Sequence, residues 1–275
     1  MSTALAVRHG PFGRAALYKL NRSFLTHAHR EAHLTFHVSG QPALIRVSSE
    51  PIRLDPGTAL AIDPWQPHSF EPGDFDDWTI ALVLYVKPRW FDDEGGADPG
   101  SLRFGRPTLA MTPLVQRLVD RIVALLLGDE AATGFDRHLR DLACACHEQS
   151  WDRAGRRSAT ERRLLYSDFR IRNSIRLMQS RIGDELAIDT IARDAGLSRP
   201  HFYKLFRQHV GITPNIYLNT LRMETAIDRL TCSSDAVTSI GLDLGFASQA
   251  SFTRFFCTNV GVPPSDYRRV ASSVT

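Results

Sequence analysis

Residues 195–217 read AGLSRPHFYKLFRQHVGITPNIY, and residues 244–267 read LGFASQASFTRFFCTNVGVPPSDY. These are two copies of one unit. Gly196 matches Gly245, Phe202 matches Phe252, Phe206 matches Phe256, Gly211 matches Gly261, Pro214 matches Pro264 and Tyr217 matches Tyr267. The offset is about fifty residues, the size of one supersecondary unit used twice. Each copy predicts an apolar supporting helix, a glycine turn and a second helix with a polar outer face. That is the helix-turn-helix pattern, whose second helix can enter the DNA major groove. Generic helical hairpins would explain the period but not the matched glycines, the paired phenylalanines and the Gly-x-x-Pro punctuation.

In the first unit Ile188, Ile191, Ala192 and Ala195 form the packing side of the supporting helix. Gly196 is expected where a side chain would crowd the next helix, Ser198 is placed to cap that helix, and Pro200 suits its first turn. Phe202, Leu205 and Phe206 point inward at helical spacing, which leaves Arg199, Pro200, Tyr203, Lys204 and Arg207 facing a groove. In the second unit Ile240, Leu244 and Phe246 pack, and Phe252, Phe255 and Phe256 fill the core side. Gln249, Ala250, Thr253, Arg254 and Cys257 then face out. Arg254 is the leading candidate for a base contact, because arginine bonds bidentately to guanine; Gln249 suits adenine or a phosphate. On a lone helix these polar residues would be read as a solvated face, and the duplication argues against that reading. A connecting helix from Pro214 to about Leu230 sets the spacing of the units, whose centres must lie about 34 Å apart to engage one DNA face. Arginines such as Arg222 are expected to position the protein on phosphates.

Residues from about Arg172 to Arg269 resemble the AraC/XylS family of bacterial transcription regulators. The matching features are AGLS followed by HFYKLF, Gly-x-x-Pro, a long helix with Leu221-Arg222, and GFASQASFTRFF ending in GVPPSDYRR. The resemblance implies two helix-turn-helix units on successive major grooves of double-stranded DNA, an effector-binding domain, a homodimer and RNA polymerase as a partner, with activation the expected sign. Three departures stand out. Ala187 occupies a usual capping position, at about 1 kcal/mol. Gly241 lies inside a helix, at a similar cost relative to alanine. Cys257, Thr258 and Asn259 replace basic residues late in the second recognition helix.

A chain of 275 residues is long enough for two domains, and 43% hydrophobic with 23% charged residues is a globular composition. The net charge of +3 is weak evidence for nucleic acid, and Lys19, Lys87 and Lys204 are the only lysines. No apolar run approaches the ~18 residues of a membrane span, and no secretory signal is visible, so a cytoplasmic location and no membrane partner are expected. Cys144, Cys146, Cys232 and Cys257 form no Cys-x-x-Cys pair, and Cys144 and Cys146 cannot share a helical face with each other.

The N-terminal half is written in another period. Short β-branched and aromatic runs at 16–18, 34–38, 43–47, 59–62 and 79–85 are separated by Ser39-Gly40-Gln41-Pro42, Asp55-Pro56-Gly57 and Glu71-Pro72-Gly73-Asp74. Such evenly spaced strands predict a small barrel or jelly roll. His27, His29 and His33, with His68 after Pro67, resemble the two motifs of the cupin barrel, with His33 where metal-binding cupins usually place glutamate. These four histidines are the candidate effector pocket or metal ligands. No cofactor is expected, with a divalent metal in the barrel as the alternative. Trp65, Trp78, Phe36 and Phe70 are candidates to line the pocket. Pro113–Leu127 predicts a helix with Leu114, Leu118, Ile122, Leu125 and Leu126 on one stripe, widened by Val115, Val119 and Val123, and a helix follows through 134–147. Residues 149–163 read as an arginine-rich linker. The expected organisation is α+β: a cupin-like sensor barrel at 1–100, a helical dimerisation region and linker at 101–165, and a DNA-binding domain at 166–275. The function expected is that of an effector-responsive, sequence-specific transcription regulator and not an enzyme, the rival being a metal-dependent cupin enzyme.

Overall fold

Alternating side chains make the first half of the chain a pair of antiparallel sheets. The computed structural model describes residues 2–73, 77–92, 102–128, 134–151, 168–183 and 188–271. In chain order the strands are β1 (Thr3–Gly10), β2 (Gly13–Leu20), β3 (Phe24–His27), β4 (Ala32–Gly40), β5 (Ala43–Val47), β6 (Glu50–Leu54), β7 (Thr58–Ile62), β8 (His68–Pro72), β9 (Thr79–Val86) and β10 (Thr108–Ala110). One sheet runs β1-β2-β9-β4-β7-β10 and the other β3-β8-β5-β6. The five strands expected from sequence are present. β1, β3, β6, β8 and β10 are additional; all but β8 are sheet edges, where polar and proline residues are common, as in Glu50-Pro51.

Register sets the histidines. His27 pairs with His68 across β3 and β8, and His33 pairs with Tyr85 across β4 and β9. The side chains between the sheets are mostly apolar, including Tyr18, Leu20, Ile45, Val47, Leu54, Leu60, Ile62, Phe70 and Val83. Helix α1 (Pro88–Asp92) follows β9. Against the outer face of the larger sheet lie α2 (Pro113–Leu127) and α3 (Phe135–Ser150). Thr112 caps α2 by accepting from the Val115 amide at 3.3 Å. The buried stripe of α2 is Val115, Val119, Ile122, Leu125 and Leu126. Ile122, Leu125 and Leu126 of the expected stripe and its flanking Val115 and Val119 meet the sheet, whereas Leu114 and Leu127 are left 51% and 59% exposed. Cys144 is exposed while Cys146 is buried, so the Cys144–Cys146 pair is not brought together. Most of the expected linker, and Ala187, lie outside the described residues.

The C-terminal half is helical: α4 (Phe169–Ser180), α5 (Ile188–Asp194), α6 (Arg199–Val210), α7 (Pro214–Cys232), α8 (Val237–Asp243), α9 (Gln249–Val260) and α10 (Pro264–Ala271). The pairs α5–α6 and α8–α9 are the two copies of the repeat. Between them α7 has 19 residues, about 28 Å of rod at 1.5 Å per residue. Thr213 caps it and Pro214 opens its first turn. The two halves share their cores. Val260, Val262 and Tyr267 pack in one apolar cluster with barrel residues, and Ala28 of the barrel packs with the first unit.

Candidate nucleic-acid interface and sensor junction

The repeat recurs in its core contacts. The Phe206 ring meets Tyr217 at 5.6 Å and 67°, and Phe256 meets Tyr267 at 5.6 Å and 72°. Gly211 and Gly261 end the two second helices with φ of 86° and 87°, each donating its amide 2.9 Å to the carbonyl four residues back. Only a residue without Cβ adopts that left-handed region at little cost. Gly196 (φ 68°) has open space where a side chain would go. Its backbone angle, and not the crowding expected from sequence, is what requires glycine there.

The recognition helices bury matched phenylalanines, Phe202 and Phe206 in α6 and Phe252 and Phe256 in α9, all fully inside. On α6, Arg199, Pro200, Lys204 and Arg207 are exposed. Tyr203 departs from the outward position expected. It is half-buried, and its hydroxyl is out of water with no hydrogen-bond partner among the described residues. The Arg199 guanidinium lies 5.6 Å from the Tyr203 ring and 3.2 Å from Asp189. Ser198 takes the N-cap backbone conformation, but its side chain makes no capping bond. The second unit does better, with Ser248 and Ser251 forming a reciprocal capping box on α9. There Gln249, Ala250 and Arg254 are exposed and Thr253 is half-buried; Gln249 accepts from Thr238 at 2.7 Å. Gly241 is not a defect. A Cβ at that position would sit 2.8 Å from the Phe252 Cβ, so the glycine is what lets α8 close on α9. Arg222 is turned inward, its Nε donating to the Ile182 carbonyl at 3.3 Å and its guanidinium 5.5 Å from the Phe246 ring, which is not a phosphate-contacting posture.

The late turn of α9 faces β3, and Asn259 and Val260 border the space between the sheets. That accounts for the missing basic residues, since those positions meet protein. The Phe24 ring is stacked 5.0 Å from Phe70 and fills the place a side chain on Gly261 would take.

Each unit's closing tyrosine is held by the barrel. Trp65, at φ 63°, stacks on Tyr217 at 5.1 Å and 15°. Tyr267 takes hydrogen bonds at its hydroxyl from Arg14 at 3.2 Å and shares one with His9 at 2.9 Å. Arg14 is buried, with its guanidinium 3.6 Å over the Tyr85 ring and its Nε unpartnered among the described residues. Between barrel and α7 lies a cleft of about 640 Å³, lined by His9, Arg14, Arg30, Lys87 and Arg89 on one side and Thr220, Met223, Glu224 and Asp228 on the other. The space between the sheets is much smaller, about 30 Å³, room for about one water.

The four histidines do converge. His27, His29 and His68 offer ring nitrogens within 4.8 Å of one another, a group that could hold a metal ion. His33 stands aside: its Nδ1 is 3.1 Å from His68 Nε2 and its Nε2 3.1 Å from the Thr35 hydroxyl. Burial pulls His27 down to about 4 and His68 to about 3. His29 and His33 are lowered by burial too, and then by mutual repulsion within the cluster. At neutral pH these are uncharged imidazoles. Of the aromatic candidates, Phe70 lines the small space between the sheets and Trp65 holds Tyr217. Trp78 carries Lys19 at 4.8 Å, and Phe36 packs in the outer core. Sequence reasoning missed Arg14, Glu224 and Tyr267 as junction residues. The closing tyrosine of each repeat was visible, but its partners are set only by tertiary contact.

Residues 14–144 match the model of the AraC-like ligand binding domain, and residues 191–270 match that of the helix-turn-helix domain. The chain is 24% identical over 254 residues to the HTH-type transcriptional activator RhaS of Escherichia fergusonii, covering 88% of this chain and 86% of that protein. It is 34% identical over 85 residues to an HTH-type transcriptional regulator of Haemophilus influenzae, spanning 31% of this chain and 28% of that protein. In fold it is similar to the unsaturated-fatty-acid-bound ToxT of Vibrio cholerae, with a TM-score of 0.58 at 14% identity, covering 93% of this chain and 94% of that one. No described helix is long and apolar enough to cross a membrane. A ligand-binding barrel followed by a duplicated helix-turn-helix, each matched to its own domain model, makes this chain a member of the AraC family of DNA-binding transcriptional regulators, a family of regulators and not of enzymes.

Proposed function

We propose that the chain activates transcription in response to a small organic effector bound in the cleft between the barrel and α7. The carrying observation is that Tyr267 is held by Arg14 and His9, which line the cleft, while Tyr217 is held by Trp65, whose amide donates to the carbonyl of the cleft residue His29. An occupant of the cleft therefore bears on both reading units at once. A pocket of several hundred Å³ with a few convergent polar groups suits a small molecule, whereas the space between the sheets does not. The fatty acid bound to ToxT is a precedent for a small organic ligand in a protein of this fold. A ligand shifts such an arrangement only through different affinity for its two states.

On DNA, α6 would present Arg199, Pro200, Lys204 and Arg207, with Tyr203 at the rim, and α9 would present Gln249, Ala250, Thr253 and Arg254. Arg254 is assigned the base contact and the others positioning roles. The sensor comprises the barrel with α2 and α3, through residue 151, and the DNA-binding domain begins near residue 168. Exposed Leu114 and Leu127 on α2 support a homodimer through that helix, and RNA polymerase is the partner that activation requires. The test is to select operators from a random duplex pool with the full chain, then measure their affinity with and without effectors found by thermal shift. A selected consensus with an affinity that changes on effector binding supports the proposal. Equal affinity in both states would remove the switch.

A further inference from the structure

The strap from Thr26 to Arg30 faces two ways. His27 and His29 join the histidine group, while Ala28 and Arg30 meet the DNA-binding domain. The Ala28 carbonyl accepts from the Thr220 hydroxyl at 3.0 Å, and Arg30 pairs with Glu224 at 3.0 Å, both partners lying on α7. The His29 carbonyl accepts from the Trp65 amide at 2.6 Å, and the Trp65 ring is the one stacked on Tyr217. Three consecutive residues of the strap thus reach the first reading unit or the rod beyond it.

The imidazoles are also set up as ligands. Nδ1 of His27 lies 2.8 Å from the Leu25 carbonyl, and Nδ1 of His68 lies 2.9 Å from the Gln66 carbonyl. A carbonyl only accepts, so both Nδ1 atoms carry the proton and both Nε2 atoms carry a lone pair, that of His68 facing His33 Nδ1 at 3.1 Å. This backbone support is how metal-binding histidines are oriented. His33 must then donate from Nδ1 to the lone pair of His68, and it is in turn satisfied by the Thr35 hydroxyl. His29 Nε2 is buried with no partner among the described residues. His29 also lines the cleft, which gives an ion a way in.

We infer that His27, His29 and His68 bind one divalent transition-metal ion, and that the ion acts as a clasp fixing the strap that docks α7. Three neutral nitrogens suit zinc, nickel, cobalt or copper over magnesium or calcium. Nitrogens bound at ~2.0 Å in tetrahedral geometry lie roughly 3.3 Å apart. The widest separation here is 4.8 Å. Binding therefore draws the strap toward β8 and displaces His33 from the lone pair of His68. Arg14 faces this group and opposes added positive charge, while Glu31 lines the same cleft and offsets it. The movement passes to α7 through the Ala28, His29 and Arg30 contacts. This inference rests on the reading of the chain as an operator-binding regulator, with the metal as a second input beside the organic effector.

The test uses the full chain, freed of metal by chelation and titrated with Zn²⁺ and Co²⁺. One ion per chain is expected, with the intense visible bands of tetrahedral Co²⁺. His29→Ala should abolish stoichiometric binding while its unfolding transition matches wild type, and His68→Gln serves as the second ligand variant. Loading should change affinity for a selected operator about tenfold, within the usual range of coupling between sites, and His29→Ala should bind that operator equally with and without metal. Substoichiometric binding, or equal binding by the folded His29→Ala protein, overturns the site. Stoichiometric binding with no change in operator affinity overturns the clasp. The regulator reading fails separately, if the metal-free chain selects no operator at all.

Discussion

Arg254 and Gly241 sit one helix apart and predict opposite phenotypes. Arg254 is exposed on α9, and its side chain makes no hydrogen bond or ion pair among the described residues. Arg254→Ala should leave the melting temperature unchanged and weaken binding to the selected operator by about 1–3 kcal/mol, roughly fivefold to 150-fold, losing preference at one base pair. Direct titration of wild-type and variant protein on matched operators checks this. Gly241 touches no groove, yet Gly241→Ala forces a Cβ to 2.8 Å from Phe252. The expected loss is about 1–3 kcal/mol in denaturant unfolding, the usual cost of overpacking. The sequence suggested that Gly241 was a weak point, because helix propensity is a local property and the approach of Phe252 is not. Tyr203 has the same cause. Helical spacing placed it on the outer face, but it stands at the edge of that face, where Arg199 and the unit's own core cover it.

At the scale of elements, the helices of the repeat were legible, and the connecting helix expected from Pro214 to about Leu230 runs Pro214–Cys232. Their boundaries are made of local chemistry: αL glycines, Pro214 and Pro264 at first turns, and phenylalanines at helical spacing. Half the strands were not legible, since β3, β6 and β10 are short and owe their pairing to neighbours distant in sequence. The face of α7 toward the barrel was also hidden. On it, burial lifts the Glu224 carboxyl to about 8 against the opposing pull of Arg30. A carboxyl whose folded value lies above its unfolded 4.5 binds the extra proton in the native state. Its contribution is therefore largest at low pH and is lost as pH rises toward about 8. The lowered histidines give the opposite slope, but only below their ordinary 6.5. Between pH 6.5 and about 8 stability should fall in wild type and stay flatter in Glu224→Gln, as read from unfolding midpoints.

At the scale of the molecule, the division into an N-terminal barrel and a C-terminal helical half was readable from a change of hydrophobic period. How the halves meet was not, because Arg14 and Tyr267 stand 253 residues apart. Trp65 and Arg14 join the barrel to opposite ends of the DNA-binding domain. Trp65→Ala should loosen the first unit, seen as faster amide exchange in α6 and α7 with the strands of the barrel unchanged. Leu114→Glu on the exposed face of α2 should convert a dimer to a monomer in sedimentation equilibrium while preserving the melting temperature; an unaltered dimer would place the interface elsewhere. Operator recognition depends most on two reading heads working together on one face of DNA. Methylation interference on a selected operator measures this directly, by asking which guanine contacts in the major groove are needed for binding. Two clusters about 10–10.5 base pairs apart are predicted, with Arg254→Ala erasing one and sparing the other. A single cluster, or two on opposite faces of the duplex, would contradict it.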